Sequence, residues 1–496
     1  MFFLIMFCRN IGLPHIFCVI FLCFGLCSTG MSRSAKPLST SSARTSQASV
    51  SVHTPDSSPE LGDASTQSSS SSGPGGDIPD VIEIRQGQLQ PTPIAIPVFL
   101  GDSAFAQKIS NVIANDLDMC GRFRIINPQA FIQDRVSVHE QVRFSDWSLI
   151  KTQILLIGKV EHSGSEITVE FKIYDVMKGM LLKGFSLSAE EGKWRKLAHM
   201  IADTVYERVT GDAGFFDSQI VFIDEQGYGK SKKKRLSMMD IDGHNVIHLT
   251  DGKNLVLMPR FSPSTHHIAY LGYKKNTAGV YVMDVRKKET KLIRNFNGMT
   301  FAPRFSPDGS TIVMSLSEGL NTAIYTYNIH NEEKRQLTPS KWIDTSPCYS
   351  PDGEFIVFTS DRNGDVEKLF VMRKNGSDVR QLSQGVGVYS QPVWSPRGDM
   401  IAFSKKVGGR FYLGVMKIDG SEERLIDEGY LIEGAAWSPN GRYITYTKEG
   451  YPSRQGRVRS RLCCMDLTGI VKMELKTPRD ASDPAWSPLL SSISVK

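Results

Sequence analysis

The 496 residues contain no Gly-x-Ser-x-Gly elbow and no Cys-x-x-Cys pair, which excludes an α/β-hydrolase nucleophile and the commonest zinc and redox frameworks. Long apolar runs are missing too. Ile16 to Cys27 gives only twelve such residues, against the roughly 20 that a spanning helix needs. Charge of one sign is scarce: 58 Lys and Arg against 52 Asp and Glu leave a surplus of six, so no general electrostatic pull toward nucleic acid exists. Gly229-Lys230-Ser231 lacks the upstream glycine of a phosphate loop, and the Lys232 to Arg235 run after it suits an exposed hairpin. Asp240-Ile241-Asp242-Gly243 and Asp361 to Asp365 lack the twelve-residue calcium loop, and His266-His267 has no ligand spacing. Nothing calls for a cofactor or a metal. Four of the eight cysteines lie within the first 27 residues; the others, Cys120, Cys348, Cys463 and Cys464, read as buried thiols.

What the sequence has is a repeat. Pro303-Arg304-Phe305-Ser306-Pro307-Asp308-Gly309 returns in near-copies whose serines stand at 262, 306, 350, 395, 438 and 487, spacings of 44, 44, 45, 43 and 49. That period suits one four-stranded propeller blade. Each copy ends an aromatic strand in Ser-Pro, and Asp-Gly or Asn-Gly supplies the positive φ of a tight hairpin. An alternating run such as Phe355-Ile356-Val357-Phe358 follows as a second strand. Third strands (Leu369 to Met372, Tyr281 to Asp284, Leu462 to Met465) and fourth strands (Arg380 to Leu382) complete the unit.

The ends of the array are out of phase. Ile220 to Thr250 provides three strands with no Ser-Pro strand ahead of them, and the Ser-Pro strand at 484 to 488 has nothing after it. Six blades therefore close only if the C-terminal strand joins the first blade.

Upstream, residues 1 to 30 resemble a secretory signal: Arg9, then the apolar core, then Ser28, Thr29 and Gly30. Residues 31 to 80 hold 16 serines and four threonines and few large apolar side chains, the composition of a disordered linker. Residues 81 to 212 read as a compact α/β domain, a mixed sheet with two helices over one face. Its strands are expected at Val81 to Ile84, Pro93 to Phe99, Phe123 to Ile126, Ile154 to Val160 and Ile167 to Ile173. One helix starts at Asp102 or Ser103 and stops at Gly121; the other presents Trp194, Leu197, Ile201, Val205 and Val209. The propeller then spans 213 to 492.

Three stretches carry a family resemblance: the propeller repeats, Gly121 to Ile126, and above all His199-Met200-Ile201-Ala202-Asp203-Thr204-Val205-Tyr206-Glu207-Arg208-Val209-Thr210-Gly211 followed by Gly214-Phe215. Over residues 78 to 492 the chain resembles the TolB family, periplasmic propeller proteins of the Tol-Pal envelope system. The resemblance implies a non-enzymatic, monomeric protein of the periplasm that links the outer-membrane lipoprotein Pal to TolA and supports envelope constriction at division and outer-membrane integrity. Other outer-membrane lipoproteins or porins are further expected contacts. It places TolA on the strand Val81-Ile82-Glu83-Ile84-Arg85, whose alternation suits pairing with a sheet edge. It places Pal over the propeller mouth. There the loops approaching the first strands nominate Met299, Thr300, Ala302, Thr345 and Ser346, with Glu433 and Asp483 in neighbouring blades. The alternative from another class is a propeller enzyme or ligand-binding protein with a metal site in its central channel.

Overall fold

Each repeat closes on its own serine. Ser306 is buried; its N–H donates to the Thr311 carbonyl (2.7 Å), its Oγ accepts the Thr311 N–H (3.0 Å), and Gly309 at φ +76° donates to its carbonyl (2.9 Å). Ser350 does the same with Phe355 and Gly353, and Ser438 with Tyr443 and Gly441. The serine is thus a hydrogen-bonded pin for the turn, and the glycine supplies the left-handed φ that other residues take only with strain.

The computed structural model describes residues 90–133, 135–227, 232–274, 277–295, 300–318, 321–364, 366–452 and 458–489. The expected signal segment, the Ser-rich linker, the strand Val81–Arg85, residues 229–231 and Met299 lie outside them. No described helix is long and apolar enough to cross a membrane.

Six antiparallel sheets of four strands form the propeller. Numbered by blade, the innermost strands are Asp480–Trp486 (blade 1), Leu255–Phe261 (blade 2), Thr300–Phe305 (blade 3), Thr345–Tyr349 (blade 4), Val388–Trp394 (blade 5) and Leu431–Trp437 (blade 6). Each packs on the next, and the last returns to the first, so the ring is closed around a channel. Blade 1 is the composite one: Asp480–Trp486 pairs antiparallel with Gln219–Gln226, which leads to Lys233–Asp240 and Ile247–His248. Ser487 exchanges the repeat's two hydrogen bonds with Gln219, N–H to carbonyl at 2.8 Å and N–H to Oγ at 2.8 Å, across 268 residues. Trp486 Nε1 adds a bond to Ser218 Oγ (2.8 Å). The closure is therefore the ordinary turn of the repeat, completed by the far end of the chain.

Ahead of the propeller lie β1 (Thr92–Ala95), β2 (Leu100–Gly101), α1 (Ser103–Met119), β3 (Phe123–Ile125), α2 (Phe144–Leu149), β4 (Ile154–Ser163), β5 (Glu166–Asp175), β6 (Met180–Glu190) and α3 (Trp194–Thr210). The sheet runs β3-β1-β4-β5-β6, parallel at β1 and antiparallel along the β4-β5-β6 meander, with β2 also on β4. Asp102 caps α1 by accepting from Ala104 and Phe105, and Gly211 at φ +77° ends α3. Ile167, Val169, Phe171 and Ile173 are fully buried against the two long helices, as their alternation predicts. The opposite face is not bare: Val138, Val142, Trp147 of α2, Leu155 and Ile157 make a second, smaller core there.

Candidate functional site

The six innermost strands share a kink. Pairing slips at the same place in every one, and the residue at the slip has positive φ: Met258 (+51°), Ala302 (+48°), Ser346 (+53°), Gln391 (+51°), Gly434 (+68°) and Asp483 (+51°). A proline follows five of them. A β-bulge turns the strand and re-aims its side chains, and holding a non-glycine residue in the left-handed region costs roughly 1 kcal/mol or more. Neighbouring blades stabilise these kinks. The Met258 N–H donates to Asp483 Oδ2 (3.5 Å), the Ala302 N–H to Met258 Sδ (3.3 Å) and the Gly434 N–H to Gln391 Oε1 (2.7 Å). At these three junctions one blade's bulge side chain satisfies the next blade's bulge backbone.

The described residues nominated for the mouth lie on these innermost strands rather than in loops. Thr300 opens the blade 3 strand opposite Leu316, Thr345 opens that of blade 4 opposite Thr359, and Glu433 pairs with Thr447. Ala302, Ser346 and Asp483 are bulge residues one layer deeper, and Ala302 is buried. The turn chemistry marks where a strand ends but gives no sign of where it begins, so the strands reach further toward the mouth than the sequence indicates. Thr345 and Ser346 are half-buried and sit on a fixed base. The preceding Asp344 is fully buried and takes two bonds of 2.9 Å from Arg362, while Asp361 accepts the Ile343 N–H at 2.8 Å. Nothing in the sequence pattern singles out Asp344 or Arg362, which lie outside the repeat motif.

Glu433 and Asp483 come together: the Asp483 N–H donates to Thr447 Oγ1 (2.9 Å), beside Glu433 in the ladder. Burial raises the Glu433 pKa well above the ordinary carboxylate range, and the negative charges of Asp483 and Glu449 raise it further. Glu225 behaves oppositely. Burial alone would raise it, but Lys234 and Lys232 hold it down at about 2, and Ser482 Oγ donates to it at 2.7 Å. This side of the channel therefore carries acidic groups only partly matched by lysine.

A second polar cluster ties the α/β domain to the propeller. His199 Nδ1 meets Asp116 Oδ2 at 2.6 Å inside the α/β domain, while Arg195 reaches across to Asp240 (3.3 Å) and Asp242. His199, Asp240 and Asp242 bring possible ligand atoms within 4.8 Å of one another, yet the guanidinium already sits on both carboxylates, so this cluster reads as a charge lock. Burial would lower the His199 pKa, but Asp116 and Asp240 raise it to about 10. Asp203 accepts the Phe216 and Asp217 N–H groups (2.7 and 2.9 Å), and Phe215 stacks on Tyr443, whose hydroxyl donates to the Cys120 carbonyl (2.7 Å). The stretch from His199 to Phe215 is thus the seam itself, and one hydrophobic core runs through it from Ile94 to Trp486. The four cysteines beyond the first 27 residues are all buried, with burial pushing Cys120 to about 12 and Cys463 to about 11.

Comparison with known proteins agrees with this architecture. Residues 206–490 match the TolB beta propeller domain and residues 80–182 the TolB amino-terminal domain. The Tol-Pal system protein TolB of Paramagnetospirillum magneticum is 52% identical over 416 residues, covering 82% of this chain and 93% of that protein. The Rickettsia bellii protein of the same name is 43% identical over 426 residues, covering 83% and 96%. The crystal structure of TolB from Acinetobacter baumannii shares the fold with a TM-score of 0.71 at 24% identity, covering 80% of this chain and 97% of that one. With both domains matched in order and the seam between them built from the signature residues, the chain belongs to the TolB family of Tol-Pal system proteins.

Proposed function

We propose that this chain is a periplasmic, non-enzymatic docking protein that binds the lipoprotein Pal over the strand-start mouth of its propeller and TolA through Val81–Arg85. In this role it supports envelope constriction at division and outer-membrane integrity. The observation that carries the reading is the bulge ring. Six strands share one strained backbone, and the residue held at the bulge differs from blade to blade. A rigid rim with varied chemistry suits recognition of a folded partner, since little ordering entropy is lost on binding. Acidic Glu433 and Asp483 stand on one side of that rim, and the hydroxyls of Thr345 and Ser346 on the other. The Val81–Arg85 sequence alternates in the way that pairing with a sheet edge favours.

Thr345→Trp tests the mouth, because Thr345 is half-buried, has ordinary backbone geometry and rests on the Asp344–Arg362 pair. The bulky side chain is expected to weaken Pal binding at least tenfold in a titration, about 1.4 kcal/mol, with the melting curve unchanged. Undiminished affinity would remove this mouth from the account. Ala302→Trp is a poorer probe than the sequence implied, since Ala302 is buried at φ +48° and a large side chain there would disturb the strand itself.

A further inference from the structure

Toward the Ser-Pro end the channel widens into a funnel of about 510 Å³. Its wall repeats one aromatic position from every blade: Phe261, Phe305, Tyr349, Trp394, Trp437 and Trp486. One residue earlier in each strand the repeat is broken. Blades 4, 5, 6 and 1 place Cys348, Val393, Ala436 and Ala485 there, whereas blades 2 and 3 place Arg260 and Arg304. Four uncharged residues show that packing at this level needs no cation. Both arginines line the cavity all the same.

Neither has its charge answered. Arg260 is 7% exposed, and its Nη1 donates only to the carbonyl of its own neighbour Pro259 (2.7 Å). The Nε of Arg260 and the Nε of Arg304 are both buried without a hydrogen-bond partner. Among the described residues neither guanidinium lies within ion-pair distance of a carboxylate, while nearly every other buried cation of this propeller does, Lys234 on Glu225 and Arg362 on Asp344 included. Burial pulls the Arg260 pKa down to about 9, Arg304 adds like-charge repulsion, and Asp483 and Glu433 offset it only from a distance. A buried cation without a partner is costly, and a second, half-buried one beside it adds to that cost.

We propose that the funnel binds an amphipathic monocarboxylate, its head group held between Arg260 and Arg304 and its apolar body against the aromatic ring. The guanidinium fork matches a carboxylate in geometry as well as charge, and the volume falls within the range of small-molecule sites. Inorganic phosphate would satisfy the arginines but leave the aromatic wall unused. The cavity is lined by the Ser-Pro end of the strands rather than by the docking mouth, and the assignment does not depend on that reading.

The full-length protein is titrated with octanoate, octylammonium and inorganic phosphate by calorimetry, with tryptophan fluorescence as a second signal. Octanoate is expected to bind and to raise the melting temperature; octylammonium is expected not to bind, and phosphate at least tenfold more weakly. Arg304→Gln and Arg260→Gln should each weaken octanoate at least tenfold, and without ligand each variant should melt no lower than the unaltered protein, because an unanswered buried charge has been removed. These ligand comparisons on the unaltered protein need no variant to fold. Absence of octanoate binding, octanoate affinity in either variant equal to that of the unaltered protein, or phosphate binding as tightly as octanoate would overturn the assignment.

Discussion

The two ends of the propeller channel are made by the same six strands, yet they differ in what repeats. At the Ser-Pro end the chemistry recurs: a buried serine, a proline and, in most copies, a left-handed glycine close the turn in the same way, and the ring is joined by that device applied between Ser487 and Gln219. At the strand-start end the backbone recurs, with a proline after five of the six bulges, but the bulge residue itself does not. The bulge ring holds methionine, alanine, serine, glutamine, glycine and aspartate at equivalent positions. Positions that every blade must satisfy are fixed by folding, whereas positions that share geometry but not chemistry can vary, and the proposed docking mouth draws on these. The arginines in the funnel are of the second kind, set within a region otherwise of the first.

The largest effect is expected from breaking the repeated end. Removing residues 480–496 takes away the innermost strand of blade 1 and exposes the edge of Gln219–Gln226, so cooperative thermal unfolding should be lost. A truncated chain that melts like the full one would contradict closure by this strand. A smaller loss is expected at the seam, where the α/β domain interrupts the symmetry. His199→Gln breaks the buried pair with Asp116 and should lower stability at neutral pH by about 3 kcal/mol or more, read by urea denaturation. Because the folded His199 pKa of about 10 lies above its ordinary value of 6.5, its contribution is complete below pH 6.5 and is lost as pH rises toward 10. The variant should lack that part of the pH slope; an identical slope would place it elsewhere. Smallest is Ser306→Ala, which removes a turn pin of the kind that Ser350 and Ser438 repeat in their own blades and should cost about 1 kcal/mol. A loss several times larger would mean that the turns act together rather than blade by blade.

Much of the fold was legible because the repeat is a local signal: Ser-Pro spacing, turn glycines and alternating strands each report their own blade, and the phase mismatch at the ends reported the closure. The buried faces of α1, α3 and β5 were legible for the same reason. β6 was missed although Phe185, Leu187 and Ala189 alternate and pack on the main core, because that stripe is short and only partly buried. The second small core was missed because Val138, Val142 and Trp147 come from irregular chain without a period. For the mouth, the sequence named Ala302, Thr345, Ser346, Glu433 and Asp483 but set them in loops. The proline after Met258, Ala302, Ser346, Gln391 and Asp483 was the available clue to the bulge, yet left-handed geometry before proline runs against the usual preference of that position. Arg260 and Arg304 look like ordinary repeat residues until three dimensions place them side by side.

The most direct test of the central claim is hydrogen exchange of the purified protein with and without Pal. Slowed exchange at the amides around Thr345, Ser346, Glu433 and Asp483, with the Ser-Pro turns at 306–311 and 350–355 unchanged, is the predicted result. Protection confined to the Ser-Pro turns would contradict it.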